Sequence, residues 1–251
     1  MSRITQKGQG SPLSVVANGL FQTSTDASLA TLVGTRWDLS DGREVMLVSA
    51  GAVALTSGKL MQDAAIVADH QNVAVTAYQA YSANGNVPAK VTVTLGATAA
   101  TANQYAGGFV VVNDNNGEGQ TLRIASHPAA DASATLAITL EDGANTALTT
   151  ASEVCIIPPH GKGIIINPTT PTGAPVGVTL YPIAANAYGF ITTKGVTSCL
   201  NGDAALTVGS AISPSNATAG AVENGVIAQG FVGSALQTGV DTEYRAVFIN
   251  L

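Results

Sequence analysis

Val91-Thr92-Val93-Thr94-Leu95 places Val91, Val93 and Leu95 on one side of an extended chain and Thr92 and Thr94 on the other. This is the alternation of a strand with one buried face. TLRIAS, residues 121–126, repeats the pattern, with Leu122 and Ile124 set against Arg123. From about residue 43 the period is predominantly two: EVMLV, NVAVTAYQAY, GGFVVVN, ATLAITL, EVCIIP, GKGIIIN, YGFITTKG, NGVIAQGFV and TEYRAVFIN all read as strands. Asn84-Gly85, Asn116-Gly117, Asp142-Gly143, Asn201-Gly202 and Asn224-Gly225 punctuate them with pairs that tolerate the positive φ of tight hairpin turns. The fold class expected is all-β, with β-sandwich or β-barrel-like subdomains and an extended N-terminal arm.

Helical signals are sparse. LTSGKLMQDAAIVADH, residues 55–70, brings Leu60, Ala64, Val67 and Ala68 near one helical face, and it reads equally as strand and loop. NPTTPTGAP, residues 167–175, carries Pro168, Pro171 and Pro175, which exclude a central strand and mark the best internal boundary. Two β subdomains meeting there are favoured over one sandwich with a long crossover loop. The expected organisation is an arm over 1–40, a β-rich domain over 41–166, a linker over 167–175 and a second subdomain over 176–251. The arm is rich in Ser, Thr, Gly and Gln without sustained alternation, so it is either disordered or ordered against a neighbour. Trp37 and Leu39 at its end anchor it to the first β unit, and Asp41-Gly42 turns the chain.

Charged residues make up 10% of the 251, against roughly 25% in an ordinary soluble domain. The surface must therefore be built of Thr, Ser, Asn, Gln, Gly and Ala. Such a surface suits a structural protein partly covered by its own copies or by a larger assembly, because few charges need desolvating on contact. Ten Lys and Arg against sixteen Asp and Glu give a net charge of −6, which argues against nucleic acid and against an anionic membrane. No stretch reaches the roughly 18 apolar residues of a membrane helix, and MSRITQKGQGSPLSVVANGL lacks a secretory h-region, so synthesis in a cytoplasm is expected.

Candidate chemistry is thin. Asp114 and Glu118 in NDNNGEGQT could recruit Ca²⁺, but the alternating ligands and distal Glu of an EF-hand are missing, which favours a solvated hairpin loop. Gly161-Lys162-Gly163 lacks the Ser or Thr and the helix start that a phosphate loop needs. His160 reads as a turn histidine with no catalytic role, His70 and His127 have no neighbouring Cys or acidic partner at ligand spacing, and no GxSxG elbow supports a hydrolase. The scattered carboxylates, Asp38, Asp41, Glu44, Asp63, Glu141, Asp142, Asp203, Asp241 and Glu243 among them, read as turn formers and solubilising groups rather than a glycosidase pair. Cys155 and Cys199 show no CxxC or zinc spacing and read as small buried residues. Tyr78, Tyr81, Tyr105, Tyr181 and Tyr188 read as packing residues rather than a carbohydrate surface. No metal, no cofactor and no catalytic residue is expected.

The stretches AKVTVTLGATAATANQYAGGFVVVNDNNGEGQTLRIASHPAADASATLAITLEDGANTALTTASEV and PVGVTLYPIAANAYGFITTKGVTSCLNGDAALTVGSAISPSNATAGAV resemble head-associated proteins of tailed bacteriophages. The likeness covers roughly residues 36–251. It rests on a YGFITTKG-like strand, a following turn with Gly202 and a VGSAISPS element ending in Gly220. The resemblance implies a non-enzymatic capsid decoration, or cement, protein on the virion exterior. Such a protein is expected to form homotrimers, to bind the major capsid protein where its subunits meet, and to stabilise the expanded head against the outward pressure of DNA. A tail or fibre component or a host-surface adhesin is the alternative. The arm would supply apolar anchors to the capsid or a neighbour through Val15, Val16, Leu20, Phe21, Leu29, Leu32 and Val33, with Trp37 at its end.

Overall fold

In the computed structural model the chain is nearly all β, with 43% strand and 5% helix. The structure describes residues 4–6, 23–82 and 86–251. It divides into two compact units: unit 1 joins Met1–Ala65 to His160–Leu251, and unit 2, Ile66–Pro159, interrupts it in the chain. Unit 1 carries β1 (Ile4–Gln6), β2 (Arg36–Leu39), β3 (Glu44–Ser49) and β4 (Leu60–Gln62) before the interruption. Unit 2 carries β5 (Val73–Gln79), β6 (Lys90–Thr94), β7 (Phe109–Asp114), β8 (Thr121–Ser126), β9 (Thr135–Leu140) and β10 (Glu153–Ile157). Unit 1 resumes with β11 (Ile165–Ile166), β12 (Pro175–Thr179), β13 (Tyr188–Leu200), β14 (Ala211–Pro214), β15 (Val222–Asn224), β16 (Gly233–Ala235) and β17 (Tyr244–Asn250).

The six strands of unit 2 close into an antiparallel barrel in the order β10-β5-β6-β9-β8-β7, with β7 returning to β10. Closure removes the sheet edges, and the alternation seen in the sequence fills the interior. Val91, Val93, Val110, Ile124, Leu136, Ile138 and Val154 have no solvent exposure, while Thr94, Arg123 and Thr135 face outward.

In unit 1 the strands follow the order β1-β2-β3-β13-β17-β16-β14-β15, with β12 pairing both β13 and β4 and β11 pairing β4. β3 reads EVMLV because it is covered on both faces. Met46 and Val48 join a core with Ile164, Val176, Ile183 and Ile191, while Val45 and Leu47 join Trp37, Leu39 and Phe190. The thirteen-residue β13 bends sharply. Thr179 lies opposite Ile191 and accepts from the Gly58 N–H, whereas the Gly58 carbonyl accepts from the Leu200 N–H. Three strand spacings bring Ile191 and Leu200 within about 15 Å, against about 30 Å for straight strand of that length. The bend falls where pairing with β3 shifts between Thr192 and Lys194, beside Gly195 at φ 104. A side chain there would meet the Arg43 Cα at 3.0 Å, so the corner calls for glycine.

Two expectations about organisation differ from the structure, and an open one is decided by it. Residues 167–175 do not separate the units: Gln62 of β4 pairs both Ile165 and Pro175, so the segment is a turn inside unit 1. The division falls instead after Ala65 and after Pro159, the latter at the Pro158-Pro159 pair. Within the expected arm, β1 pairs β2 in the register Thr5↔Asp38, and a 3-10 helix over Ala27–Leu32 places Leu29 and Leu32 on the Trp37 cluster. Residues 55–70 form β4 and a single 3-10 turn at Ala68–His70, so the strand-and-loop alternative holds.

Candidate functional site

The residues weighed for chemistry sit in hydrogen-bond networks of the fold. In unit 2, His70, Tyr105 and His127 form a buried polar chain. The Tyr105 backbone N–H donates to His127 Nε2 at 3.0 Å, so Nδ1 carries the proton of a neutral His127 ring and donates to the Pro128 carbonyl at 2.8 Å. His70 Nε2 donates to the Thr98 carbonyl at 2.9 Å, which leaves its Nδ1 to accept from the Tyr105 hydroxyl. Burial pushes the Tyr105 hydroxyl up to about 12, so it stays protonated and able to donate to His70. In the 113–121 loop, Asp114 caps the Asn115 N–H at 2.8 Å and Gln120 bonds the Gly117 and Thr146 carbonyls. This is the geometry of a hairpin turn. Among the described residues no group of three or more His, Cys, Asp or Glu converges to hold a metal ion.

In unit 1, Asp63 Oδ1 accepts from the Gly161 N–H at 2.8 Å and Oδ2 meets His160 Nδ1 at 2.7 Å. The carboxylate thereby ties together the two points at which unit 1 is interrupted. Gly161 and Gly163 take positive φ, and burial holds the Lys162 ammonium below its ordinary value, so the GKG segment is a packed turn. Glu44 is buried beside Arg36 at 2.8 Å and Thr193 Oγ1 at 3.1 Å. Both cysteines are free; Cys199 is fully buried, its thiol pushed up to about 12 by desolvation, and Cys155 is half-buried.

Of the nominated anchors, Val15, Val16, Leu20 and Phe21 lie outside the described residues. Leu29, Leu32 and Val33 are half-buried, with Leu29 and Leu32 packed within unit 1. Trp37 has no exposure and meets Phe190 edge-on at 5.5 Å, so its indole is a core group of its own unit. Tyr78 and Tyr181 also pack inward, their hydroxyls accepting from the Ala144 and Phe190 N–H groups.

One apolar face that unit 1 leaves open is the outward face of β13, β17, β16 and β14. Register places Val196, Phe248, Ser234 and Ala211 in one row across the four strands. Ser198 and Ala246 form the next row, which Leu236 extends by donating its N–H to the Ala246 carbonyl at 3.0 Å. Behind this face, Cys199, Val247, Ile249, Ala235 and Ile212 form the core. Val196 is 50% exposed, Leu236 42%, Phe248 37% and Tyr244 48%. A groove of about 620 Å³ opens beside them, bordered by Arg43, Ser57, Gly58 and Gln237 as well as Tyr244, Val196 and Ser198. The Tyr244 ring rests over Gly58, where a Cβ would come within 2.7 Å of the ring. Sequence reading passed over Tyr244 and Phe248 because TEYRAVFIN registers only as a strand. The available signal was that Ala246, Val247, Phe248 and Ile249 are apolar on both faces. No family model matches the chain, and no significantly similar curated protein or solved structure is found.

Proposed function

We propose that this chain is a structural, non-enzymatic virion protein: a capsid decoration protein that binds the expanded head of a tailed phage and stabilises it. The observation that carries the reading is the open sheet face, where Val196, Leu236, Tyr244 and Phe248 stand exposed on a chain only 10% charged. Such a surface is cheap to desolvate and suits permanent contact with other subunits. The resemblance to phage head-associated proteins supplies the partner, the major capsid protein, and the expectation of homotrimers. Contacts available only in the expanded shell would favour that shell by linkage, and several weak contacts per oligomer would reinforce one another through effective concentration. The second reading, a tail or fibre part or an adhesin, draws on the groove beside Tyr244, whose aromatic ring, amide and hydroxyls suit an external ligand. Cosedimentation with expanded, protein-stripped heads tests the choice. Saturable binding at the junctions of capsid subunits is the expected result, and a folded protein that leaves the shells bare would overturn it.

A further inference from the structure

We propose that the outward face of β13, β17, β16 and β14 is a self-association surface whose occupant is the same face of a second copy of this chain. A solvated antiparallel sheet alternates apolar inward and polar outward. Here the alternation fails on the outward side: Tyr244, Ala246 and Phe248 project from β17, Val196 from β13, and Leu236 continues from β16. The inner face of these strands is already satisfied by Val247, Ile249 and Cys199. The outer apolar residues therefore answer to something outside the unit's own core.

Charge selects the occupant. The chain carries a net −6 from sixteen acidic against ten basic residues, so a contact between copies that opposed carboxylates would be penalised. The ten outward positions 194, 196, 198, 211, 234, 236, 244, 246, 248 and 250 contain no carboxylate, and Lys194 at one end is their single charge. Two such faces can meet without opposing like charges at the centre. Ser198 and Ser234 bring hydroxyls that both donate and accept, so they suit their own symmetry mates. The size fits as well. β13 and β17 lie side by side over seven residues, about 20 Å, and the shorter β16 and β14 flank them, a projected area of about 300 Å² at a strand spacing of about 4.8 Å. That makes the apolar centre of a standard interface of about 800 Å² per partner, with Lys194, Gln237 and Asn250 at the rim.

A face-to-face pair is a two-fold dimer that covers the sheet face on which the capsid reading draws, so it would stand in place of the trimer that the resemblance implies; its test needs no shell, so the two readings fail separately. Sedimentation velocity of the full chain from about 1 to 100 μM should show a species heavier than the 25.1 kDa monomer. Val196→Asp places a carboxylate at the centre of the face and should weaken association at least tenfold, because like charges are driven together. Ser198→Glu, at an exposed polar position, should do the same and stands in if Val196→Asp fails to fold. Ile227→Asp, at a residue 87% exposed and outside these rows, should leave association unchanged. A wild-type chain that stays monomeric throughout, folded face variants that associate normally, or loss of association in Ile227→Asp would each overturn the proposal. Binding of shells by a monomeric chain would refute self-association while leaving the capsid reading standing.

Discussion

Replacing Asp63 with alanine should loosen unit 1 at the place where the chain departs for the barrel and returns. The carboxylate accepts the Gly161 N–H at 2.8 Å and meets the His160 ring at 2.7 Å. A hydrogen bond to a charged group contributes about 1.5–3 kcal/mol. The His160 side chain is 43% exposed, so solvent screening limits its contact with Asp63 to well under about 1 kcal/mol. The expected loss is therefore about 2 kcal/mol, most of it from the Gly161 N–H. Urea denaturation followed by tryptophan emission suits the question, since the chain has one tryptophan and Trp37 lies in the core of unit 1. With a slope of about 2 kcal/mol per molar urea, the midpoint of the Trp37 transition should fall by about 1 M. Asp63→Asn retains an acceptor for Gly161 and should shift the midpoint by less than half as much. A folded Asp63→Ala protein with an unchanged Trp37 midpoint would show that the junction is held by packing alone, and the reasoning from Asp63 would fail.

Phe190→Ala removes the ring that meets Trp37 edge-on and should cost about 3–5 kcal/mol. It should also shift Trp37 emission to the red as water reaches the indole; a wild-type spectrum and midpoint would refute the role given to this pair. Cys199 should resist thiol reagents in the native protein while half-buried Cys155 reacts, and equal rates for the two would contradict its burial. The Cys199 thiol is raised from 9.0 to about 12, so above about pH 9 the unfolded state releases a proton that the folded state keeps. Stability should then fall as pH rises from 9 toward 12, and Cys199→Ala should flatten that slope after allowance for the lost packing. A slope unchanged by the substitution would assign the alkaline loss to other groups.

Strand existence was readable wherever one face alone is buried. TLRIAS maps onto β8 residue for residue, and VTVT lies within β6, because alternation is the direct imprint of a half-buried strand. Unit boundaries were not readable from proline content alone. Pro175 begins β12, a position where its missing N–H is tolerated, while the turn before it closes a pairing with β4 more than a hundred residues upstream. Long-range pairing of that kind leaves no local mark. NGVIAQGFV read as one strand yet breaks into the end of β15 and a 3-10 turn at Ile227–Gln229, which Gly230 at φ 73 terminates. The arm was misjudged for a related reason: Leu29 and Leu32 look like anchors without a core until Trp37, Leu39 and Phe190 are brought beneath them.

β3 and β17 make the decisive comparison, because both depart from alternation and only one is fully explained within its unit. Residues 45–48 of β3, VMLV, are apolar throughout, and unit 1 builds a core against each side of them. YRAVFI is nearly as apolar, yet Val247 and Ile249 are buried while Tyr244 and Phe248 remain about half and a third exposed. A run apolar on both faces is the pattern of a strand covered twice. Unit 1 covers β17 once, so its composition follows from folding on one side only. On the proposal made above, association meets the remaining demand. A low-charge sheet with one unanswered apolar face is a subunit surface, and its symmetric, carboxylate-free rows make another copy of the same chain the occupant that fits it best.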